Sequence, residues 1–235
     1  YNTEKNILLI LLNDFYFPFY IDGVVKGTFT GLKPKILNCL LTERDFYDSC
    51  IIKNNFYVLP GDIKILENRH YLLEHVEYLL KTASDIFDYV VVDGGYCGVD
   101  GFSALSLQSI RMATYKYLVG TQSEKSRVYF DNCVEQVYKE LDIKLSEFYF
   151  ILNKFFDNSK LLQLSSFENL YNIECIGVLP YIDAIFCLQC EKGHTSLIDL
   201  KDKRYNKAFS DLLNKIRVQL QIDFLKGRKD IFQNK

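Results

Sequence analysis

The sequence predicts an α/β protein built on a mainly parallel, twisted sheet with helices on both faces. Short apolar, β-rich runs recur along the chain without the polar alternation of a half-exposed sheet, which is how strands covered on both sides read. Between them lie stretches in which apolar residues return with helical spacing. The composition is ordinary for a globular chain: 235 residues, 49% hydrophobic and 25% charged, with 12 Gly and 4 Pro. It excludes disordered, collagen-like and low-complexity readings and leaves enough chain to bury a substantial core.

Taken in order, Ile7 to Leu12 forms the first strand and Pro34 to Leu41 the first helix. Phe56 to Leu59 and Tyr89 to Val92 are the second and third strands, with a helix over Arg69 to Ala83 between them. Ser103 to Ala113 is helical, Tyr117 to Val119 extended, Ser123 to Leu141 helical and Phe148 to Leu152 extended. A short helix over Ser165 to Tyr171 leads to the sixth strand, Ile176 to Leu179. A last helix near Tyr205 to Leu220 aligns Phe209, Leu212, Leu213, Ile216 and Leu220 in one apolar stripe. Strands and helices that alternate in this way call for right-handed crossovers. No internal repeat or linker-like tract divides the chain, so residues 1–221 are expected to form one domain, followed by a basic tail over 222–235.

Charge and cysteine usage narrow the classes further. Lys plus Arg number 28 against 30 Asp plus Glu, a net charge of −2, so wholesale attraction to nucleic acid or anionic membrane is not expected. Seven scattered cysteines, mostly beside apolar residues, suit buried thiols in a reducing cytoplasm better than a disulfide framework. The longest apolar run, Ile7 to Leu12, is far shorter than the roughly 20 residues of a membrane span. A cytoplasmic protein is the expectation.

In open α/β sheets, ligands gather at the carboxyl ends of strands. Four such ends carry polar or turn-forming residues: Asn13-Asp14, Asp93-Gly94-Gly95, Asn153-Lys154 and Pro180-Tyr181-Ile182-Asp183. Each one alone also reads as an ordinary loop start. Asp93 ends an apolar strand, where a carboxylate can hold a metal-bound water or serve as a turn or helix-capping residue. Asn153 offers a donor and an acceptor, suited to a base edge or to a turn.

The ordered set Asn6 to Asn13, Tyr57-Val-Leu-Pro-Gly61, Phe87 to Asp93, Phe150-Ile-Leu-Asn-Lys154 and Ile176-Gly-Val-Leu-Pro-Tyr181 resembles the ParA/MinD family of deviant P-loop ATPases over nearly the whole chain. The VLPG segment, the Val-Asp-Gly-Gly run and the closing Leu-Pro-Tyr-Ile-Asp look most like its TadZ/CpaE pilus-assembly branch. The resemblance implies a P-loop NTPase-like fold that binds ATP or ADP with Mg²⁺ and dimerises. It implies that Asp93 holds Mg²⁺ through water, that Asn153 and Lys154 form the base-contacting motif, and that Pro180, Tyr181 and Asp183 flank the base. Partners in a pilus or partition machinery, and recruitment to a cell pole or the inner membrane surface, follow from the same likeness.

Departures from the family pattern matter equally. No GxxxxGK[ST] loop occurs in the chain, and Lys26-Gly27-Thr28 lacks the strand and paired glycines needed to replace it. An upstream strand, P-loop and helix ahead of Tyr1 are therefore expected, and nucleotide binding depends on them. The strand that usually reads apolar-Asp-x-Asp has Leu11 and Asn13 at those positions, and a leucine cannot orient or deprotonate water. Weak or absent hydrolysis is expected, with no catalytic residue assigned. Asn13, Gly94, Gly95 and Gly98 become switch or hinge candidates. A nucleotide-independent scaffold and a DNA-partitioning ATPase are the rival readings.

Two further features stand apart. Cys187-Leu-Gln-Cys190 with His194 falls short of a four-ligand zinc site and lacks a redox-helix context, so packing is the plainer reading. Residues 201–235 hold ten Lys/Arg against four Asp, a net +6 that leaves −8 on the remainder. Lys226, Arg228 and Lys229 could meet membrane or DNA phosphates there, or form a solvated face.

Overall fold

The computed structural model describes residues 4–12, 27–61, 71–94, 104–158, 160–183 and 202–220. Among them are seven strands: β1 Ile7–Leu11, β2 Ile51–Lys53, β3 Phe56–Leu59, β4 Tyr89–Asp93, β5 Lys116–Gly120, β6 Phe148–Phe155 and β7 Glu174–Pro180. Seven α-helices accompany them: α1 Phe29–Leu37, α2 Glu43–Ser49, α3 Leu73–Ile86, α4 Ala104–Met112, α5 Glu124–Cys133, α6 Leu164–Tyr171 and α7 Lys203–Gln219. A π-helical turn, Val134–Tyr138, extends α5.

The strands form two ladders, ordered β2-β3-β1-β4 and β5-β6-β7. All pairings are parallel except β2 with β3. Registers such as Leu11 opposite Asp93 and Gly120 opposite Leu152 align the carboxyl ends within each ladder. The alternation of side chains across each strand builds cores on opposite faces. On one face Leu8, Ile10, Val90 and Val92 pack with α1, α3 and the start of α4. Phe148, Phe150 and Leu152 pack on α5 and α6, and Leu118 and Ile110 of α4 join that cluster. On the other face Ile151, Ile176 and Leu179 pack on Tyr205 and Leu212 of α7.

Local chemistry accounts for the helix ends. In α7 the carboxylate of Asp202 accepts the N–H groups of Arg204 (2.9 Å) and Tyr205 (3.0 Å), two donors without partners inside the helix. Thr42 and Asp45 form a reciprocal capping box on α2, in which Asp45 Oδ2 accepts the Thr42 N–H at 2.8 Å and Lys35 closes an ion pair. The α1 helix starts five residues before the predicted proline. Phe29, Leu32 and Ile36, all buried, set a helical stripe, and Pro34 lies inside the helix on its exposed side. At Gly177 a Cβ would sit 2.7 Å from Leu212 Cδ1, so the missing side chain lets α7 approach β7.

Candidate functional site

Polar and aromatic groups converge where β5, β6 and β7 end. Tyr181 N–H donates to Phe155 O at 2.7 Å, fixing the exit of β7 against that of β6. The Phe156 and Tyr181 rings meet edge-on, with centroids 6.2 Å apart, and stay 52% and 44% exposed. Asn153 is half-buried, and its Oδ1 accepts the Lys154 N–H at 2.9 Å. This local bond holds Lys154 in the left-handed region, φ 54°, where the β6–β7 register shifts between Leu152 and Phe155. Asn153 is thus a turn amide whose NH₂ is a hydrogen-bond donor.

Gln122 organises this end from beneath. Buried just beyond β5, it donates through Nε2 to Leu162 O (2.8 Å) and accepts the Phe156 N–H through Oε1 (2.7 Å). One carboxamide therefore satisfies both the β6 exit and the loop before α6. Sequence reasoning passed over Gln122 and Phe156; the signal was a polar Thr121-Gln122-Ser123 run directly after an apolar strand.

At the carboxyl end of the other ladder, Asp93 closes β4 with an exposed side chain, and its carbonyl accepts the Leu12 N–H at 3.0 Å. Gly94 O accepts from Ser106 Oγ at 2.7 Å, which ties the strand end to α4. Leu11, in register with Asp93, is 5% exposed and packs with Ile51 and Val58. At the opposite, amino edge Asp88 accepts from Asn6 N–H (2.8 Å) and Lys5 Nζ (3.0 Å). Those two donors, the backbone N–H first, hold its carboxyl below the usual range.

The structure thus places Asn153 and Lys154 near the end of β6, beside the exit of β7 at Pro180 and Tyr181, with Asp183 two residues further on, and Asp93 and Gly94 at the end of β4, where Leu11 is buried in register with Asp93. Asn13, Gly95, Gly98, Lys226, Arg228, Lys229, Cys187, Cys190 and His194 lie outside the described residues. Among the described residues no cluster of metal-ligating side chains occurs, and no helix is long and apolar enough to cross a membrane. The buried Cys50 thiol is pushed up to about 12 by burial and is chemically inert at neutral pH.

No protein-family model and no curated protein matches the chain. Among solved structures, a ParA family ATPase from Chlorobium tepidum superposes with a TM-score of 0.70 at 14% identity, over 90% of this chain and 87% of that one. The Aquifex aeolicus MinC:MinD cell division complex matches with a TM-score of 0.66 at 13% identity, covering 96% and 87%. The Pyrococcus horikoshii septum site-determining protein MinD, complexed with Mg-ADP, matches with 0.66 at 13%, covering 92% and 85%. At such identities the likeness is one of fold: the chain has the α/β fold of the ParA/MinD P-loop ATPases, with parallel strands and helices on both faces.

Proposed function

We propose that this protein is a ParA/MinD-like nucleotide-binding, dimerising positioning protein, of the kind that localises a Flp/Tad-type pilus assembly, with little or no ATP hydrolysis. The observation that carries the reading is the strand-end cluster of Asn153, Lys154, Pro180 and Tyr181 on this fold, braced by Gln122 and accompanied by Asp93 at the end of β4. The Pyrococcus neighbour was solved with Mg-ADP, and the Aquifex one as a complex with MinC.

The residues present fit the base and metal ends of a nucleotide. The Asn153 amide can donate to a purine edge, Tyr181 and Pro180 flank it, and Asp93 can hold a Mg²⁺-bound water. Bound Mg²⁺ would supply charge neutralisation at the phosphates. A Gly-rich, Lys-containing phosphate cradle does not occur within residues 1–235, so it comes from polypeptide outside them in this reading. Leu11, packed in the core beside Asp93, supplies no base for water, which favours a dimerisation switch over turnover.

The same leucine favours one alternative, a scaffold that keeps the fold and dimerises without nucleotide. Binding of a fluorescent ADP analogue and MgATP, followed with light scattering on the full native polypeptide, separates the two. Nucleotide binding with nucleotide-dependent dimerisation supports the switch. Absence of binding with a constant dimer replaces it by the scaffold.

A further inference from the structure

Phe156 and Tyr181 differ from every other aromatic side chain among the described residues. Each remaining Phe and Tyr there is buried or half-buried, and these two alone are exposed. They also touch one another, at the carboxyl ends of β6 and β7, with ring planes 79° apart. Two large rings left side by side in water form an apolar spot at the end of the sheet where ligands gather.

The backbone that carries the rings is anchored. Phe156 N–H donates to Gln122 Oε1 at 2.7 Å, and Tyr181 N–H donates to Phe155 O at 2.7 Å. Little chain has to be ordered when a flat ligand settles on rings held in this way.

The same bonds decide what the polar groups here can read. A carboxamide selects adenine by donating to the acceptor nitrogen of the five-membered ring and accepting from the adenine amino group at once. Asn153 Oδ1 accepts the Lys154 N–H at 2.9 Å and Gln122 Oε1 accepts the Phe156 N–H, so both amide oxygens are turned to the main chain. Gln122 Nε2 is taken up by Leu162 O at 2.8 Å. The Asn153 NH₂ is a donor, and the five-membered ring of adenine and of guanine presents the same acceptor to it. Asp157, next to Phe156, is exposed, and a carboxylate open to water accepts from the amino group of either purine.

We propose that the base of a bound nucleotide stacks on Phe156, with Tyr181 bracing that ring, and that the site takes adenine and guanine nucleotides with nearly equal affinity. The inference rests on the nucleotide reading above and defines its ligand class more closely: purine nucleotides held by the flat face of the base, with little reading of its edge. Stacking on an aromatic ring tolerates any base because every base has a π-face, and it dominates where edge contacts are few.

The test is calorimetric titration of the full native polypeptide with ADP, GDP and inorganic pyrophosphate, each with Mg²⁺. ADP and GDP should bind within about tenfold of each other, and each at least about tenfold tighter than pyrophosphate. Phe156→Leu removes the ring but keeps the N–H that Gln122 holds, so it should melt with the parent, weaken both nucleotides by about tenfold and leave pyrophosphate binding unchanged. Phe156→Tyr keeps a ring and should bind both nucleotides like the parent. A preference of more than about tenfold for one purine overturns the proposal and leaves the nucleotide reading standing. A folded Phe156→Leu protein that binds both nucleotides like the parent does the same, as does pyrophosphate binding as tightly as ADP, which would show that the base is not held. Failure of all three ligands to bind removes the nucleotide reading itself and this proposal with it. The purine ratio is measured on the unaltered protein, so it decides the matter even if a variant does not fold.

Discussion

Placing a carboxylate at Leu11 should break the protein before it creates an ATPase. Leu11 is 5% exposed and packs with Ile51 and Val58, in register with Asp93 on the adjacent strand. Truncation to Ala removes apolar burial and leaves a cavity, which costs about 2–5 kcal/mol. Leu11→Asp loses the same packing and also places a carboxylate in an apolar environment without a partner, a change that typically adds about 3 kcal/mol or more unless the group takes up a proton. Asp93 one strand away adds repulsion of about 1–3 kcal/mol after allowance for its exposure to solvent. Folded domains hold only about 5–15 kcal/mol, so the variant should be marginal at neutral pH. Urea unfolding followed by circular dichroism at pH 7.5 should rank the parent above Leu11→Ala and Leu11→Ala above Leu11→Asp. The sign of the pH effect is opposite to that of a paired carboxylate. Burial raises the pKa of the new Asp above its unfolded value, so Leu11→Asp gains on Leu11→Ala as pH falls from the folded pKa toward about 4. A Leu11→Asp protein as stable as Leu11→Ala at pH 7.5 would refute the argument. Position 11 would then be wet, and the inference of a hydrolysis-deficient site would lose its support.

Other substitutions test separate parts of the structure. Gln122→Ala strands the Phe156 N–H and Leu162 O and should cost about 1–3 kcal/mol in chemical denaturation; it should also weaken binding of a fluorescent ADP analogue to the native polypeptide. Gly120→Ala puts a Cβ 2.7 Å from Phe150 Cε2 and should destabilise by about 1–3 kcal/mol, with recovery in the double variant carrying Phe150→Leu. Lys154→Gly relieves a positive φ and should stabilise by up to about 1 kcal/mol, measured as a rise in Tm. Asp88 should lend stability that is present above its unfolded pKa of about 3.9 and lost as pH falls through its depressed folded pKa; the gap between parent and Asp88→Asn in acid titration should close over that range.

The sequence carried the strand order of events well because buried parallel strands are contiguous apolar runs. Tyr89 to Val92 and Phe56 to Leu59 match their strands to within one residue. The strand β2 escaped notice since Ile51-Ile-Lys53 is three residues long and pairs antiparallel on an edge, where length and pattern both weaken. The helix α2 escaped because Glu43 to Ser49 is mostly polar, held by its capping box and by Phe46 in the core. Asp93, Asn153 and Tyr181 stand out as candidates in the sequence because each ends or follows an apolar run. Gln122 acts through backbone groups that are distant in sequence, Phe156 and Leu162, and no local pattern announces such a bond. Among the described residues β4 and β5 do not pair with each other, and this break between the two ladders is visible only in the pairing.

That break bears on how a ligand could act. The residues proposed to meet a base sit on β6 and at the end of β7, whereas Asp93 sits on β4, and α4 with its Ser106–Gly94 bond is a described element that packs on both cores. A ligand touching both strand-end clusters would couple the two ladders, and its binding energy would appear as reduced opening of each relative to the other. In the native polypeptide, MgADP should therefore slow exchange in α4 and at the ends of β4 and β6 together. Slowing confined to the β6–β7 end would mean that only the base-side cluster is engaged, and Asp93 would then be a strand-end turn residue with no share in the site.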